Sequence, residues 1–76
     1  MSSPVVIVIN FNSGQHLERC LESVRADAPR SPLIVVDNAS ADASDRAADG
    51  LAPQVRLVRN IVNVGFARAV NQALAL

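Results

Sequence analysis

Two short aliphatic runs constrain the fold of this chain more than any other feature. Val5-Val6-Ile7-Val8-Ile9 and Leu33-Ile34-Val35-Val36 are continuous, mostly β-branched and free of polar residues. A strand with one wet face alternates apolar and polar side chains, whereas a strand without alternation is covered on both faces. Each run follows a proline, Pro4 or Pro32, and each stops at a polar cluster beginning at Asn10 or Asp37. Both runs therefore read as strands of a parallel sheet with helices packed on its faces.

The intervening segments carry a helical period. Leu17, Cys20, Leu21 and Val24 recur at i, i+3, i+4 and i+7, with Glu18, Arg19, Glu22 and Arg25 opposite, which predicts a helix over residues 15–27. Ser13 is its expected cap, and Pro29 ends it. A weaker helix is expected from Asp42, closed by Gly50, with Ala43, Ala47, Ala48 and Leu51 on its buried face. Pro53 leads into a third strand, Val55-Arg56-Leu57-Val58-Arg59. Here Val55, Leu57 and Arg59 share one face and Arg56 and Val58 the other, the pattern of an edge or partly covered strand. A third helix is expected from Phe66, its apolar face formed by Phe66, Val70, Ala73 and Leu74. The order is β-α-β-α-β-α, an α/β fold with a three-layer, Rossmann-like parallel sheet and right-handed crossovers. Residues 1–76 read as a single partial domain, stopping where an open α/β sheet usually continues into a fourth strand. The unpaired edge of such a sheet favours self-association.

Composition narrows the function classes. Hydrophobic residues make up 50% of the chain, yet Phe11 and Phe66 are its only aromatic residues, so the core is aliphatic. Seven basic residues, all arginine, balance seven acids. A net charge of zero gives no field favouring nucleic acid or an anionic membrane. One cysteine, Cys20, excludes an intrachain disulfide and a cysteine-built zinc site, and its helical position predicts packing. The first aliphatic run is too short and lacks the basic flank of a secretory signal, and no run approaches a membrane span. A cytoplasmic protein is the default expectation.

Chemistry is expected at the carboxyl ends of the strands, where open α/β sheets bind ligands. Three polar clusters fall there: Asn10–Gly14, Asp37–Ser40 and Asn60–Gly65. Each precedes a helix N-terminus, where free N–H groups favour an anion. Neither G-x-G-x-x-G nor G-x-x-x-x-G-K-[ST] occurs, which tells against dinucleotide and P-loop enzymes. Asp37 ends an apolar strand, where a carboxylate must accept hydrogen bonds. These come either from a nucleobase or ribose, or from the backbone of its own turn at Ala39 or Ser40. Asn10 and Asn12 have the same two readings. Arg68 falls in the first turn of the third helix, where a cation is disfavoured by the helix dipole but suits a bound diphosphate. Asp42, Asp45 and Asp49 read as a solvated helix face rather than a metal cluster. His16 has no partner at ligand spacing, and no nucleophile–base constellation is present.

These blocks, taken in order, resemble the family 2 glycosyltransferases of GT-A fold. The resemblance rests on Val5–Gly14, on Leu17 with Cys20–Ser23, on Ile34–Ser44 with its V-V-D-N-A-S, and on Asn60–Gln72 with its N-x-G-F-A-x-A-x-N. The wording N-F-N-S-G and D-N-A-S is most similar to the rhamnosyltransferase-like branch, which often uses dTDP-rhamnose. The resemblance implies the N-terminal, nucleotide-binding half of a GT-A fold in a bacterial enzyme of cell-envelope polysaccharide. It also implies a dTDP- or UDP-sugar donor and inverting transfer to a saccharide or lipid-linked acceptor, a reaction that admits peripheral work at the inner membrane face in full-length form. Carried over by position, Asn10 and Asn12 would contact base and ribose, Asp37 would hydrogen-bond the base, Asn38 would belong to the same nucleotide site, and Asn63, Gly65 and Arg68 would line the nucleotide, with Arg68 towards base or diphosphate. The family's D-x-D motif, which holds Mg²⁺ or Mn²⁺ against the diphosphate, lies after the next strand. No metal site and no catalytic residue is therefore assigned within residues 1–76. The other reading of the same residues is a non-catalytic α/β module that binds a nucleotide or a partner.

Overall fold

A computed structural model describes residues 5–49 and 55–76. Three parallel strands, β1 (Val6–Asn10), β2 (Leu33–Asn38) and β3 (Val55–Asn60), form one sheet in the order β1-β2-β3. The register sets Asn10 beside Asp37, Asp37 beside Arg59, and Asn38 beside Asn60. β2 is central, and all six of its residues are buried, as an aliphatic run without alternation requires. Each strand runs one or two residues further into its polar cluster than the apolar pattern alone marks, because the terminal asparagines still pair in the sheet.

The side-chain alternation of the strands separates two half-cores. Leu33, Val35 and Val55, with Val6, Val8 and Leu57 around them, meet Leu17 and Leu21 of helix α1 (His16–Asp27) and Ala48. On the other face Ile34 and Val36, with Ile7, Ile9 and Val58, meet Ala69 and Ala73 of helix α2 (Phe66–Leu74). The expected three layers and the α/β class are thus present. β3 is an edge strand with Arg56 exposed, as its alternation implied.

Three local expectations are corrected. Ser13 does not cap α1: Gln15 holds that position without a side-chain bond, and the Ser13 hydroxyl donates to Asn10 instead. The segment after Asp42 is not an α-helix but a short 3₁₀ helix, Ser44–Ala48. Ala43 before it is left-handed (φ 62°) and exposed, so only Ala48 and part of Ala47 reach the core. Gly50, Leu51 and Pro53, like Pro4, lie outside the described residues. The buried stripe of α2 is Ala69 and Ala73, whereas Phe66 is 73% and Leu74 68% exposed. Small residues let α2 sit close to the sheet, and a polar contact described below rolls the larger ones aside.

α1 and the 3₁₀ helix lie on one face of the sheet, while α2 crosses to the other and lies over β2 and β1. The chain thus reverses its direction across the sheet after β3. That reversal sends the connections leaving the adjacent strands β2 and β3 to opposite faces, which opens a crevice at their carboxyl ends.

Candidate functional site at the carboxyl ends of the strands

Asp37 and Asn38 are consecutive, so their side chains leave opposite faces of the sheet. Each closes a separate polar knot, and both residues are 3% exposed.

Asp37 serves the α1 face. Its Oδ1 accepts from the Asn10 amide at 2.9 Å and from the Ser40 hydroxyl at 2.6 Å, and its Oδ2 accepts from the Ser40 N–H at 3.1 Å. The turn-forming reading of Asp37 is realised, with Ser40 as its partner. Asn10 also donates to the Ser44 hydroxyl at 2.9 Å and shares a longer bond with Ser40. The first two loops are then laced together: Asn12 N–H donates to the Ser40 hydroxyl, Ala41 N–H to Asn12 Oδ1, and Gly14 N–H to Asp42 Oδ2. The Ser44 hydroxyl, then the N–H groups of Ser44 and Gly14, hold the exposed Asp42 carboxyl below its ordinary value of 3.8.

Asn38 serves the α2 face. Its Oδ1 accepts from Asn60 Nδ2 at 3.0 Å and from Val64 N–H at 3.3 Å, and its Nδ2 donates to Gly65 carbonyl at 3.2 Å. Asn60 and Gln72 exchange two amide bonds of 2.8 Å. Asn63 closes a tight turn by accepting from Gly65 N–H at 2.8 Å. Gly65 itself sits at φ 85°, ψ 167°, a conformation essentially confined to glycine.

What these knots leave open is as informative as what they close. Gly65 begins α2 without a side-chain cap, and its carbonyl accepts from Ala69. The N–H groups of Phe66, Ala67 and Arg68 have no acceptor among the described residues, as expected of a first helical turn. Arg68 is exposed in that same turn and forms no ion pair among the described residues. A cation at a helix start is unfavourable unless an anion answers both it and the dipole. The site thus separates the sequence-predicted residues into two groups. Asn10, Asp37 and Asn38 are buried and internally bonded, while Asn12, Asn63, Gly65 and Arg68 are exposed around them.

The remaining acids are occupied elsewhere. Asp45 and Asp49 clamp Arg59 at 2.7 and 2.8 Å, raising the Arg59 pKa further, rather than forming a free solvated face. Among the described residues no three His, Cys, Asp or Glu side chains converge on a metal-sized site. Sequence reasoning placed Ser40 and Asn60 in the strand-end clusters without giving their side chains a role, and it missed Ser44 and Gln72 as members of the site. Gln72 is unremarkable in sequence, and no local pattern places Ser44 beside Asn10.

The profile of glycosyl transferase family 2 matches residues 5–76. Two curated relatives, each named N-acetylglucosaminyl-diphospho-decaprenol L-rhamnosyltransferase and coming from two strains of Mycobacterium tuberculosis, are each 35% identical over 71 residues. The match covers 92% of this chain and 23% of either relative, so the chain spans under a quarter of their length. No solved structure matches significantly.

Proposed function

This chain belongs to glycosyl transferase family 2, and from that premise we propose that it binds the nucleotide of a nucleotide-diphosphate sugar donor at the carboxyl ends of its strands. The observation that carries this reading is the uncapped start of α2. Three N–H groups and an Arg68 that have no partner among the described residues share one helical turn at the carboxyl end of the sheet. A diphosphate supplies the negative charge that both lack. Asn12 and Asn63, exposed on the flanking loops, are suited to the base and ribose, and Gly65 lets the backbone approach the phosphates. Asn10 and Asp37 support that surface from beneath, Asp37 with one acceptor position on Oδ2 outside its internal bonds.

The donor class that fits is a dTDP- or UDP-sugar, and the relatives' names point to a rhamnosyl group and a lipid-linked acceptor. In the proposed reaction an acceptor hydroxyl oxygen bonds to the anomeric carbon as the bond from that carbon to the diphosphate breaks. The hydroxyl proton passes to a base, and the nucleoside diphosphate leaves with inversion. This chain's part is to hold the leaving group and spread its charge over the α2 N–H groups and Arg68. The family's Mg²⁺ or Mn²⁺ does not fit the acids present here, since Asp37, Asp42, Asp45 and Asp49 are each committed to hydrogen bonds or to Arg59. No step is routed through a metal on these residues. No helix among the described residues is long and apolar enough to cross a membrane, and work at the inner membrane face would follow from a lipid-linked acceptor.

Titration of the folded chain with dTDP and UDP tests the reading. The amide resonances of Phe66, Ala67 and Arg68 should move, and Arg68→Ala should weaken binding and flatten its salt dependence. A folded chain that does not respond at millimolar nucleotide removes the proposal.

A further inference from the structure

We infer that Asn38 is a positioning residue for the donor site: with Asn60 and Gln72 it sets the place and roll of the α2 N-terminus and does not itself touch the donor. The inference rests on the nucleotide reading above and gives Asn38 a different role from the direct nucleotide contact implied by family position.

The Asn38 side chain is buried, and three of its four hydrogen-bonding positions are taken within the chain. Two of those bonds fall on consecutive residues, Val64 N–H and Gly65 carbonyl, immediately before the helix. The Gly65 carbonyl is also the acceptor for Ala69 N–H at 3.2 Å, the first intrahelical bond of α2. One amide on the central strand therefore grips the helix at its first bonded carbonyl. The glycine at that point has a backbone conformation that would otherwise leave the helix direction free to vary.

A second grip lies further along. Gln72 is about 9 Å from Phe66 along the helix axis, at 1.5 Å per residue. Its reciprocal pair with Asn60 ties that point to the end of β3, and Asn60 donates in turn to Asn38. One grip fixes position, and two fix roll. Roll decides whether Ala69 and Ala73 face the sheet, and hence where the free N–H groups and Arg68 point. Gln72 lies on the side of the helix nearest β3, so the Phe66, Val70 and Leu74 stripe turns the other way, which leaves Val70 half-buried and accounts for the exposure of Phe66 and Leu74. All three gripping side chains are neutral amides, so the device adds no charge that competes with a diphosphate and no group that titrates.

The test uses Asn38→Ala and Gln72→Ala in the 76-residue chain. Neither change alters charge, and Gln72 is too far along the helix to touch a ligand on its first turn. In the nucleotide-free protein, Asn38→Ala should displace the amide resonances of Val64 to Arg68 while far-UV circular dichroism stays native. Nucleotide affinity should fall about tenfold for Asn38→Ala and about threefold for Gln72→Ala, the scale of one lost hydrogen bond. The Gln72→Ala loss should shrink in an Arg68→Ala background, because both act through the same helix end. Should Asn38→Ala not fold, Gln72→Ala alone decides. A folded Gln72→Ala that binds like wild type overturns the inference, as do unmoved Val64–Arg68 resonances in Asn38→Ala. Absence of nucleotide binding by the wild-type chain overturns the donor reading itself, a separate result from either.

Discussion

Among the described residues five have positive φ, and three of them, Asn12, Ala39 and Ala43, are not glycine. Asparagine tolerates this region, but an alanine there carries a cost of about 1–2 kcal/mol. Ala39 and Ala43 bracket the loop that Asp37, Ser40 and Asp42 hold by side-chain bonds, so those bonds offset the strain. Gly65 is the stricter case. A Cβ there would meet no atom within 4 Å, yet its backbone angles exclude other residues. Gly65→Ala should therefore destabilise the chain by about 1–3 kcal/mol through backbone strain alone, measured as a shift in urea midpoint at unchanged m-value. Asp42 contributes to the acid limb. Its folded pKa is lowered from 3.8, so its stabilising contribution is complete above that value and is lost as pH falls through the lower folded value. Asp42→Asn should flatten the change in stability below about pH 4, read by chemical denaturation across that range. At this scale the sequence was partly legible. Asp37 showed both of its readings, and the turn was one of them. Its link to Asn10 depends on strand register, which no local pattern contains.

Helices and strands were legible in proportion to how strongly their own residues were patterned. α1 and β2 matched their periods because long apolar side chains decide them. The segment after Asp42 did not, because alanines give a helix little to bury, and a left-handed Ala43 leaves room only for a 3₁₀ turn. α2 was placed correctly but rolled differently from its hydrophobic pattern, because the Asn60–Gln72 pair and the close fit of two alanines outweigh the burial of Phe66 and Leu74. That fit has a consequence. Ala69 is fully buried between helix and sheet, so Ala69→Leu should cost about 1–3 kcal/mol by overpacking, whereas Leu74→Ala should change stability by about 0.5 kcal/mol or less. Equal losses for the two, measured by urea unfolding, would contradict the observed roll.

At the scale of the molecule the sheet has two unlike edges. β3 presents Arg56 and the clamped Arg59, charges that discourage another strand. β1 presents an uncharged aliphatic strand, and on the α2 face the Phe66, Val70 and Leu74 stripe lies away from β3 and towards this edge. We expect the isolated chain to self-associate through β1 in a concentration-dependent way, and Leu74→Arg, at an exposed site, to shift it towards monomer. Sedimentation velocity reads both, and a wild-type chain that stays monomeric as its concentration rises contradicts the expectation. The class of fold and the ligand-binding end of the sheet could be read from the apolar runs. Which edge lies beside the exposed apolar stripe could not, because it depends on the side to which α2 crosses and on its roll. The bare edge also leaves a record in time. Val6 N–H bonds to Pro32 of the neighbouring segment at 2.9 Å, so by the two-residue repeat of a strand Val8 and Asn10 also point inward, and Ile7 and Ile9 point to water. Deuterium should enter β1 at every second amide, fast at 7 and 9 and slow at 6, 8 and 10. When anything adds a strand there, that alternation disappears, so the isotope pattern of five residues reports whether the edge is occupied without knowledge of the occupant.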